Sequence, residues 1–476
     1  MTLVLRDVHV VDLARRRTPS GQSVLIDGGE ITRVVDGTSD VAIFGTDGAG
    51  AGAAGASAAG AAGAEAVDVI ECGGRYLLPG LTDAHVHLRA APRSGPHSAL
   101  HSDDQMGAER TAPALEDLVP VLHGYLYCGV TTLFDAGNYG TLAWPLREAE
   151  RGGRILAPRI HCAGPFVTCT GGHGSELADS VAVDRLPEDE PQLRAHLRHR
   201  PDLVKITYDE HNWGIRPLIP ILGVDVLRGI VEIAHDEDIP VTVHVSNELR
   251  AREAVECGAD ALAHPVIQSP MTEELAARLA ARRVPVVSTL AIGERYVRLA
   301  DDPGFLDGDS YVRCVAPEER ERLKTVEHER QRANRWADWM RVMTPVAQDN
   351  LRRLVEAGAV VVSGSDLSLG PDLLRELQLL QDAGIEPWDV LCCATTHAAR
   401  FLDAGLRMGT VEPGKLADLV LVDGDPTTDV SRLLEISMVM KGGEIIDRST
   451  LQLAGERPGP SVGLHSPLGA QQSVNV

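Results

Sequence analysis

Aromatic residues are scarce in this chain, and lysine is scarcer. Only 4% of the residues are Phe, Trp or Tyr, although a hydrophobic fraction of 44% is ample for a core. No run of 18 or more apolar residues occurs, so the sequence signature of a transmembrane helix is missing. The opening residues Met1–Val10 show no basic n-region, long apolar stretch or cleavage site, and a cytoplasmic protein is expected. The formal charge of −23, from 45 basic and 68 acidic side chains, opposes binding to nucleic acid or an anionic membrane, because neutralising phosphates requires clustered cations. The eight cysteines (72, 128, 162, 169, 257, 314, 392 and 393) include no Cys-x-x-Cys pair and read as reduced structural thiols. Lysine stands only at 205, 324, 415 and 441; histidine aside, every other base is arginine.

At 476 residues there is room for one large barrel and a small second domain. Residues 1–79 read as short strands, Thr2–Val10, Ser23–Asp27 and Glu30–Val35, with a Gly28-Gly29 turn, resuming at Val67–Ile70 and Arg75–Leu78. Between them, residues 47–66 are almost entirely Ala and Gly and are expected to form a flexible insertion. From 80 to 405 the pattern alternates strand and helix. The candidate strands are Leu81–Leu88, Val130–Ala136, Arg159–Ala163, Leu203–Tyr208, Val241–Ser246, Ala261–His264, Val284–Leu290 and Ala359–Ser365. Amphipathic stretches such as Val226–Asp236, Glu248–Cys257, Glu273–Arg283 and Leu373–Asp382 follow most of them. Eight such units predict an α/β fold, most economically a closed (β/α)8 barrel. A doubly wound sheet is the alternative, but no Gly-x-Gly-x-x-Gly follows an early strand, so the usual dinucleotide argument falls away. Residues 406–447 return to short strands, predicting a small β-sandwich built from both chain ends, and 448–476 are expected to be a loose tail.

The chemistry gathers where a parallel barrel places it, at the C-terminal ends of strands. In Leu77-Leu-Pro-Gly-Leu-Thr-Asp-Ala-His-Val-His-Leu88, His85 and His87 are two apart, so an extended strand points both to one face. Asp83 in the same run reads as support for the barrel mouth. Lys205 lies in the fourth strand, His244 in the fifth, His264 closes the sixth and Asp366 follows the eighth. Burial among Leu203, Val204 and Ile206 would depress the Lys205 pKa, and a neutral amine can take up carbon dioxide as a carbamate with two anionic oxygens that bridge cations. Arginine cannot do this chemistry. The competing reading pairs Lys205 with Asp202 or Asp209.

On these residues the chain resembles the amidohydrolase superfamily, in the branch of imidazolonepropionase-like and prolidase-like (Xaa-Pro dipeptidase) enzymes. The resemblance covers roughly residues 2–447. It rests on the Pro79-Gly-Leu-Thr-Asp-Ala-His-Val-His87 stretch, Gly171-Gly172-His173, Lys205, His244, His264, Ser-Gly-Ser-Asp366 and Gly409-Thr-Val-Glu-Pro-Gly-Lys-Leu-Ala-Asp-Leu-Val420. It implies a metal-bearing barrel with His85, His87 and Asp366 on a buried metal, His244 and His264 on a second, and carbamylated Lys205 (N6-carboxylysine) bridging the two. Two divalent ions are implied, with zinc suited to the nitrogen-rich set; a single metal stays open, as in imidazolonepropionase. The implied reaction is hydrolysis of a C–N bond in an amide, dipeptide or cyclic amide by a metal-bridged hydroxide. Asp366 is then general base and acid, and His173 contacts substrate. Tyr208 is read as a hydrogen-bond donor to the developing oxyanion. A deaminase or decarboxylase on the same barrel, or an inactive scaffold, are the alternatives. The loops Arg89–Pro113, with His97 and His101, and Ala291–Arg322, with Arg295, Tyr296, Arg298, Tyr311 and Arg313, read as lids or contacts of a homo-oligomer, and most of those arginines as solvated.

Overall fold

The computed structural model describes residues 2–39, 67–88, 115–137, 142–175, 180–211 and 218–455. The expected insertion at 47–66, the loop 89–113 and residues 456–476 fall outside them. Eight parallel strands form the centre: Leu81–Val86, Val130–Asp135, Arg159–Cys162, Val204–Thr207, Val241–His244, Ala261–Leu262, Val286–Val287 and Val361–Val362. Backbone hydrogen bonds join the two arcs into a closed barrel. Asp202 N donates to Cys162 O at 3.0 Å, and Ala84 N donates to Ser363 O at 3.0 Å. Every residue of Leu81–Val86, Val204–Thr207 and Val241–His244 is buried, as strands covered on both faces require.

Helices cover the barrel with one apolar stripe each. In Val224–Asp236 the buried positions are Leu227, Ile230, Val231 and Ala234, spaced by the helical period. Helix Glu248–Glu256 starts where the Asn247 side chain accepts from Arg250 N, and Glu273–Arg282 where Thr272 accepts from Leu275 N. After the seventh barrel strand comes a helical insertion, Leu290–Asp301 to Trp336–Glu356. Its arginines are not uniformly solvated. Arg295 is buried, its Nη1 donating to both carboxylate oxygens of Asp372 at 2.8–2.9 Å, and Tyr311 donates to the same Asp372 at 2.8 Å.

Both chain ends meet in the small β domain. Its seven strands run in the order Glu444–Ile446, Ile436–Lys441, Leu419–Val422, Val67–Pro79, Thr2–Val10, Gln22–Asp27 and Glu30–Asp36. They form one mixed sheet curled around a shared core of residues such as Leu5, Val24, Ile26, Leu419 and Met440. Val67–Pro79 is one strand rather than the two segments expected, because Gly73 and Gly74, both at positive φ, let it bulge opposite Asp7 and continue. The sheet is pinned to the barrel by Arg159, whose Nη2 donates to Asp418 Oδ1 at 3.0 Å, and by Lys441 on Glu150 at 2.7 Å. Residues 448–455, expected to be loose, are packed: Leu451 and Leu453 are buried and Gly455 N donates to Arg313 O at 2.8 Å. Among the described residues no helix is long and apolar enough to cross a membrane.

Candidate metal centre

Two groups of donor side chains lie at the C-terminal mouth of the barrel. The first joins the strands on either side of the closing seam. His85 Nε2 lies 3.5 Å and His87 Nε2 3.0 Å from Asp366 Oδ1. His87 Nδ1 sits 2.6 Å from Gly137 O; a carbonyl only accepts, so Nδ1 carries the hydrogen and Nε2 is left as a donor of electrons. Asp366 N donates to His85 O at 2.8 Å, with Asp366 itself in the left-handed region at φ 56°, a conformation that costs an L-residue about 1–2 kcal/mol. Two residues earlier, a Cβ on Gly364 would stand 2.7 Å from His85 Cβ and from Val287 Cγ1, so only glycine allows this approach. Asp83 ties the seam, accepting from Ser365 N at 2.9 Å and Ser365 Oγ at 2.7 Å. Burial pushes its carboxyl up to about 8 against the pull of those bonds.

Lys205 enters this group from the fourth strand. It is 1% exposed, and its Nζ lies 3.2 Å from His85 Nε2. Neither carboxylate considered as its partner pairs with it. Asp202 accepts from Arg147 and Arg151, and Asp209 from Ser246 Oγ at 2.7 Å. Burial lowers the Lys205 amine to about 7, with the Asp366 charge opposing.

The second group is His173, Asp209 and His244. His173 lies in a loop whose turn uses Gly171 at φ 74°, and its carbonyl accepts from Thr207 Oγ1 at 2.7 Å and Thr168 Oγ1 at 3.0 Å. His244 Nε2 lies 3.4 Å from Asp209 Oδ2. Asp209 falls to about 2: burial acts to raise it, but the His244 ring and the Ser246 hydroxyl hold the ionised form. His264 stands between the groups, with Nδ1 2.8 Å from Thr289 Oγ1. Ring centroids step from His87 to His85 (5.2 Å), His264 (4.8 Å), His244 (4.4 Å) and His173 (4.4 Å), a continuous line of five imidazoles.

The donor chemistry fits divalent cations. Burial, then the neighbouring positive groups, drives His85 and His264 well below the usual imidazole range and His173 to about 3, which keeps the neutral, metal-binding form. Asp366 is held well below the carboxylate range: burial opposes this, and His85 and His87 overcome it. His173 Nδ1 is buried without a hydrogen-bond partner among the described residues. In each group the donor atoms lie within 4.8 Å of one another, a nitrogen-and-oxygen set of the kind divalent transition metals take.

Of the residues expected at this site, the structure brings together His85, His87, His173, Lys205, His244, His264 and Asp366. Tyr208 is placed elsewhere. Its hydroxyl donates to Glu253 Oε2 at 2.8 Å on helix Glu248–Glu256, and the Arg250 guanidinium lies 5.5 Å over its ring. Lys205 and Thr207 face the barrel interior, so alternation sends Tyr208 outward and away from any oxyanion there. The residues not foreseen as parts of the site are Asp209 and Thr289. Asp209 was legible only as an acid just past a strand end, and Thr289 carried no signal.

A closed (β/α)8 barrel with imidazoles and a carboxylate at its C-terminal mouth defines a metal-binding hydrolase of the barrel class. Residues 76–446 match the Amidohydrolase family, and the chain belongs to it. It is a hydrolase acting on carbon–nitrogen bonds. Imidazolonepropionase of Geobacillus kaustophilus (strain HTA426) is 24% identical over 414 residues, spanning 80% of this chain and 82% of that protein. Among solved structures, a prolidase complexed with N-methylphosphonate-L-proline superposes with a TM-score of 0.69 at 22% identity, over 94% of this chain and 99% of the other. A Xaa-Pro dipeptidase with methionine bound in its active site gives 0.68 at 22% identity, over 94% and 100%. These structures share the fold.

Proposed function

We propose that this protein hydrolyses the C–N bond of a small amide, dipeptide or cyclic amide at a two-metal centre. In this reading His85, His87 and Asp366 would hold one cation and His244 and His264 the other, Lys205 as its carbamate would be a ligand shared by both, and zinc would suit the set. The observation that carries it is Lys205: a fully buried lysine, without a carboxylate ion-pair partner among the described residues, beside His85 and with its amine pushed towards neutrality. The neutral Nζ attacks the carbon of carbon dioxide, a new N–C bond forms, one proton leaves, and the side chain gains the two anionic oxygens that a protonated lysine lacks. Divalent cations, when bound here, would supply Lewis acidity towards water and the scissile carbonyl.

The chain's own groups do the rest. Asp366, ionised in the folded protein, accepts the proton of the attacking water at a carboxylate oxygen and returns it to the leaving nitrogen. His173, whose Nδ1 has no partner among the described residues, donates to the substrate's carbonyl or carboxylate oxygen. Asp209 and Thr289 fix the rings of His244 and His264, so that these donors are positioned before substrate arrives. The names of the relatives, imidazolonepropionase and Xaa-Pro dipeptidase, support a small amide as the substrate class. Cytoplasmic location and self-association, expected from the sequence, belong to the same proposal.

The test is metal analysis with Lys205→Ala. The wild type is expected to carry two divalent ions per chain, and the variant to lose one of them together with about a thousandfold in kcat/KM, a loss of several kcal/mol in stabilisation of developing charge. Retention of two tightly bound metals by Lys205→Ala overturns the bridging role. Release of ammonia or carbon dioxide without cleavage of an amide bond would place the protein among deaminases or decarboxylases.

A further inference from the structure

Beside the line of imidazoles, a partly open cavity lies between the strand ends at His244 and His264 and the inserted helices Leu290–Asp301 and Trp336–Glu356. Its two sides differ in chemistry. On the metal side the polar groups are already engaged. Ser246 Oγ donates to Asp209 and accepts from Gln268 Nε2 at 2.6 Å, and Thr289 Oγ1 meets His264 Nδ1. The rest of the lining is largely apolar: Val245, Pro265 and Ile267 beside the strand ends, and Leu290, Trp339 and Ala347 on the inserted helices. Among the described residues that line it there is no lysine or arginine, and the one formal charge is the Asp209 carboxylate. On the helix side, Thr344 Oγ1 is buried and has no hydrogen-bond partner among the described residues. The two helices stand close at this point because position 293 is glycine: a Cβ there would lie 3.0 Å from Thr344 Oγ1 and 3.2 Å from Met340 Sδ.

We infer that this cavity receives an uncharged, apolar group of the substrate, branched aliphatic or aromatic, with the Thr344 hydroxyl as its one hydrogen-bonding contact. The assignment rests on the hydrolase reading above for the identity of the scissile bond. A carboxylate entering this cavity would give up its water, find no cation among the described lining residues and face Asp209. An alkyl or aryl group releases water from its own surface and from the Ile267, Leu290 and Trp339 side chains, which is favourable in proportion to the apolar area covered. The substrates this selects are amides carrying a hydrophobic acyl or amine residue, in preference to ones carrying an acidic group at that position.

Binding of sulfonamides tests this separately from turnover, because they imitate an amide and are not cleaved by it. Metal-loaded protein is titrated calorimetrically with methanesulfonamide, phenylmethanesulfonamide and sulfamoylacetate. The phenyl compound is expected to bind about tenfold more tightly than the methyl compound, or better, and the carboxylate no more tightly than methyl. Ala347→Phe, which fills the cavity, should abolish the phenyl advantage; Ile267→Ala, a gentler change, should reduce it several-fold. Equal affinity for the two neutral compounds, or tighter binding of the carboxylate, overturns the assignment on the wild type alone. Metal content and amide cleavage, measured on the same preparation, judge the hydrolase reading independently.

Discussion

The two donor groups are built by different means. His85, His87 and Asp366 come from the strands that meet at the closing seam, and backbone atoms hold them: Asp366 N on His85 O, His87 Nδ1 on Gly137 O, and Ala84 N on Ser363 O. His173, His244 and Asp209, with His264 between the two groups, come from separate strands and loops, and side chains orient their reactive atoms: Asp209 on His244, Ser246 on Asp209, Thr289 on His264. A site fixed by main chain tolerates most substitutions around it, whereas one fixed by side chains can be loosened by a single change outside its ligands. The first group should therefore be robust and the second tunable.

The sharpest break in that comparison comes at the residue on which the first group converges. Asp366→Asn keeps the shape and removes the anion, and is expected to lower kcat by about 10²–10⁴-fold with the fold retained, read by steady-state kinetics alongside circular dichroism. Loss of folding instead would show that Asp366 chiefly supports the seam. A smaller effect, confined to the second group, is expected of Asp209→Ala: a loss of about 10–100-fold in affinity for one of two metals, with the other unmoved, read by competition with a chelator. Equal weakening of both metals would erase the distinction between the groups. The smallest effect concerns Glu376, a buried acid that accepts from Ser288 Oγ and from Ala291 N at 2.6 Å, on either side of Thr289. Burial raises its carboxyl to about 7. Between pH 4.5 and 7 the folded chain therefore keeps a proton that the unfolded chain releases. The stability this group provides is complete below its unfolded pKa and lost as the pH rises through about 7, by at most about 3 kcal/mol. Glu376→Gln should flatten that fall, measured by urea unfolding at pH 5 and pH 8; an unchanged slope would remove Glu376 as its source.

The ends of the barrel strands were readable because parallel sheets bury both faces, which leaves a lone His, Lys or Asp at a strand end conspicuous against valine and leucine. Lys205 stood out further in a chain that uses arginine almost everywhere. Asp209 was hidden because Tyr208-Asp209-Glu210 lies beyond the strand, where acids are common, and because its partners Ser246 and His244 are more than thirty residues away. Tyr208 misled because proximity in sequence to Lys205 is not proximity in space: one step of alternation separates the barrel interior from the helix layer. The burial of Arg295 was unreadable for a related reason, since it depends on Asp372, 77 positions further on.

The small sheet has a consequence for how the molecule is made. Its central strand Val67–Pro79 pairs on one side with Thr2–Val10 and on the other with Leu419–Val422, which is synthesised about 340 residues later. At a translation rate of about 5–20 residues per second, one edge of that strand waits on the order of 20–70 s for its neighbour while the whole barrel emerges between them. During that interval Leu77 and Leu78, buried in the finished protein, form an open strand edge on the nascent chain. The protein's yield in the cell should therefore depend on whatever shields that edge until the last strands arrive.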